Sequence, residues 1–278
     1  MDSERIQRAA IALMARDHAD DVRRLDSILG RGESATLSPL VPPNPFVGDP
    51  TRLIPGECVA LIGINPKLDL DRKGFQQFEI DIPTACQASY ARSGDAEAFS
   101  PWFEKLHNYY DSDAYYGRYF TRLGNHIGSA WFTSPGEGEP ANVNARRVLR
   151  DHVLKLDAIP YYSTSDEMDP ERVIKAMHGD EALGAHRKLM EAMFEECRPR
   201  HLQVNGKTTA GSMMKALFGE RETFENIGRG PSSIEVGWAE IGSHRLPLFI
   251  HGFTNVSSGP QSRQAFLECA AQFEAWLD

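Results

Sequence analysis

The chain opens with apolar residues at helical spacing: Ile6, Ala9, Ala10 and Leu13, then Val22, Leu25 and Leu29, ahead of Gly30. Residues three and four apart share one helix face, so Ser3 to Leu29 predicts one or two amphipathic helices, an N-terminal extension of about residues 1–42. A Pro-rich stretch, SPLVPPNPFVGDP, follows and reads as an extended connection. The pattern then changes. Glu57 to Ile64 contains the continuous run CVALIGI, as expected for a strand buried on both faces of a parallel sheet. Aromatics and leucines at helical spacing fill Pro101 to Ile127. Val153 to Tyr162 predicts a second strand interrupted by Asp157, and His201 to Val204 a third. Ile234 to Ile241 and Leu246 to Ile250 predict the last strands, and Gln261 to Leu277 a closing helix. Asp169-Pro170-Glu171 is a helix start, with Asp as cap and Pro at the first helical position. Strands alternating with helices predict one α/β domain over residues 1–278: three layers, α/β/α, around a central, mainly parallel sheet.

Composition narrows the class. The 39 acidic and 30 basic side chains give a net charge of −9, which opposes nonspecific binding to nucleic acid. No apolar run is long enough for a membrane helix, and the start MDSERIQRAA lacks the apolar core of a secretory signal, so a cytoplasmic protein without membrane contact is expected. Cys58, Cys86, Cys197 and Cys269 lie far apart, neither a disulfide framework nor a metal motif. The nine histidines form no HExxH or HxH pattern, so neither a metal nor a cofactor is expected. VNGKTTAGS has the look of a phosphate loop. Its register, however, puts His201 where the first Walker glycine belongs.

In open α/β sheets ligands bind beyond the carboxyl ends of the strands. That rule selects Gly63-Ile64-Asn65-Pro66, Asp157 with the tyrosines after it, Asn205-Gly206-Lys207, and the segment from His251 to Asn255.

These loops, in this order, resemble the motifs of the uracil-DNA glycosylase superfamily over roughly residues 43–277. The resemblance is carried by the lead-in PFVGDP, the strand ending in GINP, an aromatic about a dozen positions on, a polar residue on the second strand, a third strand ending in Gly-Lys, and a histidine after the last strand. It implies hydrolysis of an N-glycosidic bond to release a base from DNA, with the nucleotide flipped into a pocket as in base-excision repair. By this resemblance Asn65 would orient the attacking water and His251 would donate to the departing base. Gly63, Ile64 and Pro66 would frame the base. Phe78 would stack on it, with Phe75 as the alternative, and Asp157 would read its edge.

The sequence also departs from that pattern. The base-reading position, usually Asn, is Asp157. An ionised carboxylate accepts hydrogen bonds but donates none, so weak uracil selectivity is expected. The last motif reads HGFTNVSSGPQSR and lacks the usual Pro after its histidine. Phe253 has two readings, a wedge into nucleic acid or a core side chain. Lys207 and Arg263 are either phosphate contacts or solvated charges. The other function this scaffold would serve is non-catalytic binding of a nucleobase, nucleotide or nucleic acid.

Overall fold

The structure is a computed structural model that describes residues 2–29, 37–112, 115–133, 136, 138–163, 168–254 and 259–278. Its centre is a six-stranded sheet of order β2-β1-β3-β6-β5-β4. The strands are β1 (Val59–Gly63), β2 (Val153–Asp157), β3 (His201–Asn205), β4 (Glu225–Ile227), β5 (Ile234–Ile241) and β6 (His244–His251). β2, β1, β3 and β6 are parallel, while β5 runs antiparallel to both β6 and β4. The three-layer α/β/α architecture and its mainly parallel sheet are as the pattern predicts. The second strand stops at Asp157, short of Tyr162, and the short edge strand β4 carries no apolar signal that would announce it.

The parallel strands are apolar on both faces because helices cover both. On one side Ala60, Ile62, Leu156, Val204 and Ile250 meet α1 (Ser3–Met14), α2 (His18–Leu29), α3 (Ile82–Ser93), α4 (Ser100–His107), α7 (Pro170–Gly179), α8 (Glu181–Cys197) and α9 (Thr209–Phe218). On the other, Leu61, Val153 and Phe249 meet α5 (Gly117–Trp131), α6 (Ala141–His152) and α10 (Arg263–Leu277). The N-terminal helix pair is part of this packing. Ile6, Leu13 and Leu25 are buried in the same cluster as the sheet residues, and Arg16 and Arg24 grip the buried Asp21, which also accepts from Tyr161 at 3.0 Å. Among the described residues no helix is long and apolar enough to cross a membrane.

Two local features position the site. First, the pairing of β1 with β2 continues beyond the strands: Ala158 N–H donates to Gly63 O, Ile159 N–H to Ile64 O, and Ser163 N–H to Pro66 O, at 2.9, 2.8 and 3.2 Å. The GINP turn is thereby fixed to the loop after β2. Second, Gln76–Asp81 forms a π-helical turn before α3, with Ile82 N–H reaching back to Gln77 O. Such turns are rare. Because one turn here takes more than four residues, positions i and i+3 no longer share a face while i and i+4 nearly do. Phe75 and Glu79 are buried and Phe78 is rotated away from them.

Candidate functional site

Register sets the floor of the site. Gly63 is paired with Asp157, Ile62 with Val204, and Asn205 with His251. Asp157, Gly63, Asn205 and His251 therefore form one row across the carboxyl ends of four parallel strands, all on the face that α5 covers. One strand step back, the row contains Lys155, Leu61, Gln203 and Phe249. Above the first three members of the front row lies a cavity of about 580 Å³. Gly63, Ile64, Asn65, Pro66, Asp157 and Phe253 line it, as do Lys155, Asn205 and Ser163. Its far wall is aromatic, built from Tyr109 and from Tyr116, Tyr119 and Phe120 at the start of α5.

Asn65 Nδ2 donates to Ser163 Oγ at 2.5 Å and to Pro66 O at 3.3 Å. The amide plane is thus tethered by its nitrogen, which leaves Oδ1 without a hydrogen-bond partner among the described residues. Asn205 is held similarly: its Nδ2 donates to Tyr119 Oη at 2.7 Å and its Oδ1 accepts from Thr254 N–H at 3.3 Å.

Asp157 does not stand alone. Lys155 Nζ donates to Asp157 Oδ1 at 2.5 Å and to Leu156 O at 2.6 Å, so one ammonium proton is left over. Burial pushes the Lys155 pKa down, and Asp157 opposes that shift. The premise for weak uracil selectivity, a carboxylate with no donor beside it, is therefore not met. Gly63 makes room for the pair, since a Cβ there would overlap Asp157 Oδ1 and come within 3.2 Å of Lys155 Nζ. Lys155 was missed from sequence, although the alternation Lys155-Leu156-Asp157 puts both charges on one face of a strand.

A second charged group adjoins the cavity. Glu79 is fully buried and accepts from Lys105 Nζ at 2.6 Å, from Tyr162 Oη at 2.6 Å and from Arg72 Nη2 at 2.9 Å. Burial would raise its pKa, but the two cations and their hydrogen bonds outweigh this and hold it below the usual carboxylate range. Arg72 also donates to Tyr109 Oη at 3.1 Å and lies 5.7 Å from the Tyr116 ring centroid, so it joins the acidic core to the aromatic wall.

Four expected site residues lie elsewhere. Phe78 is not on the cavity wall, because the π turn rotates it away. Phe75, the alternative, is buried against Val41 and Tyr162. The aromatic surface that faces the cavity comes instead from α5. His251 is wholly buried and is not part of the cavity wall. Its Nδ1–H donates to Gly252 O at 2.7 Å and its Nε2 accepts from Gln203 Nε2 at 2.9 Å. Both nitrogens are satisfied in the neutral ring, and burial holds the pKa down to about 4. The histidine expected to donate to a departing base is thus found engaged with Gly252 and Gln203. Lys207 is away from the cavity, its Nζ donating to Ser233 Oγ at 2.7 Å. Arg263 begins α10 on the surface. Phe253 is on the wall but half-buried, its ring lying against Gly206, whose φ of +128° and bare Cα permit the approach. Asn255 lies outside the described residues.

Among the described residues no group of three or more His, Cys, Asp or Glu is arranged to hold a metal ion. The chain matches no protein-family model and no curated protein.

Proposed function

We propose that the cavity receives a nucleobase and that the protein hydrolyses the N-glycosidic bond joining that base to its sugar, as a divergent member of the uracil-DNA glycosylase superfamily. The observation that carries this reading is convergence. Asn65, the Lys155–Asp157 pair and Asn205, from three neighbouring strand ends, share one cavity with an aromatic wall. A flipped base needs a stacking surface and polar groups for its edge, and both are present.

The Lys155–Asp157 pair offers one donor and one acceptor side by side. A base edge with a carbonyl next to an N–H, as in uracil or hypoxanthine, satisfies both. In the reaction, water attacks the anomeric carbon and the C–N bond breaks with its electron pair passing to the base. The base leaves with a proton and the sugar keeps the hydroxyl. Asn65 Oδ1 accepts from the water and orients it; an amide orients better than it deprotonates. Lys155, rather than His251, is the cation next to the charge that develops on the base.

The test is release of free base from oligonucleotides containing uracil, hypoxanthine or xanthine. Release by the native protein and a loss of about 10²-fold or more in Asn65→Ala supports the reading. One observation favours the second reading, a binder without turnover: the family histidine is buried, neutral and engaged. Thermal stabilisation by a base or nucleoside without any release would select it.

A further inference from the structure

The charge inside the cavity is opposite to that of the chain. Four cations line it, Lys67, Arg72, Arg122 and Lys155, against three acids, Asp69, Glu79 and Asp157, a difference of 4 − 3 = +1 within a chain of net charge −9. Behind the wall, Lys105 adds a further positive charge on Glu79. The inner charges are paired, Lys155 with Asp157, and Glu79 with both Arg72 and Lys105. Those near solvent are not. Lys67 and Arg122 are exposed, and neither has a carboxylate partner among the described residues. Arg122 uses one nitrogen on Thr254 O at 3.0 Å. Such a cavity is complementary to an anion at its mouth and a neutral polar group at its floor.

Size agrees with this. A cavity of about 580 Å³ falls within the roughly 300–1,000 Å³ of sites that enclose whole small molecules. Among the described residues, two groups expected to hold a duplex are engaged within the fold. The Phe253 ring that would wedge between bases is packed on Gly206, and the Lys207 ammonium is bonded to Ser233. The overall charge repels a polyanion.

We propose that Lys67 and Arg122 form a phosphate subsite, and that the ligand is a single phosphate-bearing nucleotide presented outside a duplex, with its base on the floor and its phosphate at the mouth. The inference rests on the reading of the floor as a nucleobase site. The phosphate belongs either to a free mononucleotide or to a single-stranded end, and the two share the same chemistry.

Calorimetric titration distinguishes the cases. The probes are deoxyuridine, deoxyuridine 5′-monophosphate, a single-stranded trinucleotide containing uracil, a uracil-containing duplex and inorganic phosphate. The monophosphate is expected to bind at least 10-fold tighter than the nucleoside, and 0.5 M salt should remove most of that gain, as for charge-assisted contacts near solvent. In the double variant Lys67→Gln/Arg122→Gln the ratio should fall to about one, with melting temperature reporting that the fold is intact. Trinucleotide binding equal to the monophosphate assigns the phosphate to a strand end, and weaker binding assigns it to a free nucleotide. Either result keeps the subsite. Equal affinity for nucleoside and monophosphate, or a gain that survives the double variant, overturns the subsite while leaving the base site standing. Tighter binding of duplex than of monophosphate overturns presentation outside a duplex. Binding of inorganic phosphate with no binding of nucleoside or nucleotide overturns the base-site reading on which the proposal rests.

Discussion

Lys155 Nζ and Asp157 Oδ1 lie 2.5 Å apart on one face of β2, in the wall of the cavity at the parallel strand ends. Both side chains are nearly buried, so each depends on the other. Removing one partner of a buried pair leaves an unmatched charge, at a cost of about 3–5 kcal/mol. Lys155→Met and Asp157→Leu should each destabilise the protein to that extent in urea denaturation. The apolar double variant Lys155→Met/Asp157→Leu should recover more than half of the loss. Additive effects of the two single changes would show that the residues do not act as a pair.

Gly63 is the partner of that pair across β1 and β2. In Gly63→Ala the methyl group overlaps Asp157 Oδ1, and the carboxylate has to move. Overpacking of this kind costs about 1–3 kcal/mol. The expected outcome is a lower melting temperature together with weaker nucleoside binding. Unchanged binding would show that the ligand does not touch Asp157.

Acid should loosen the fold early. Burial holds His126, His186 and His251 down to about 4, against an ordinary value near 6.5. Between those values the unfolded chain binds protons that the native chain refuses, so stability is full above pH 6.5 and is lost as pH falls toward 4. Glu79 acts later: its depressed pKa gives stability that is present above the ordinary carboxylate value and lost as pH falls through its native one. Melting temperature measured from pH 7.5 to 4 should begin to fall near pH 6.5. His126→Phe should reduce the slope by at most about one proton, since that ring is stacked on Phe266 and its Nδ1 has no partner among the described residues.

His201 sits among Trp131, Phe249 and Phe273, with ring centroids 4.5, 6.1 and 5.0 Å away, and neither of its nitrogens has a hydrogen-bond partner among the described residues. A buried polar group left unsatisfied costs about 1–3 kcal/mol. His201→Phe keeps the ring and removes both nitrogens, so it should raise the melting temperature. A drop would show that the site holds a bonding partner for the imidazole.

The sequence patterns reveal the architecture where a single face or pair of faces determines burial. CVALIGI reads as a doubly covered strand because it is one, and Asp169-Pro170 caps α7 as its chemistry demands, with Asp169 Oδ1 accepting from Glu171 N–H and Arg172 N–H. Helix α6 is hard to see because only Ala145, Val148 and Leu149 form its apolar stripe, amid arginines and asparagines. The site was legible where it follows the backbone: the GINP turn and Asp157 end adjacent parallel strands, so they meet. It was not legible where contacts come from afar. Glu79 is matched by Lys105 and Tyr162, 26 and 83 residues away, and His251 is removed from the cavity by a bond to Gln203, 48 residues away. No local periodicity encodes those distances.

The π turn has a consequence for how the chain tolerates length changes. Glu79 faces Lys105 and Arg72 because Gln76–Asp81 carries its hydrogen bonds one residue further than an α-helix does. Deleting Gln76, Gln77 or Phe78 would convert the turn to an ordinary α-helical one, so that α3 begins a turn earlier. The carboxylate would then swing away and leave two cations facing each other next to the cavity. The electrical balance of this pocket is therefore a matter of reading frame along the helix, set by counting residues as much as by choosing them.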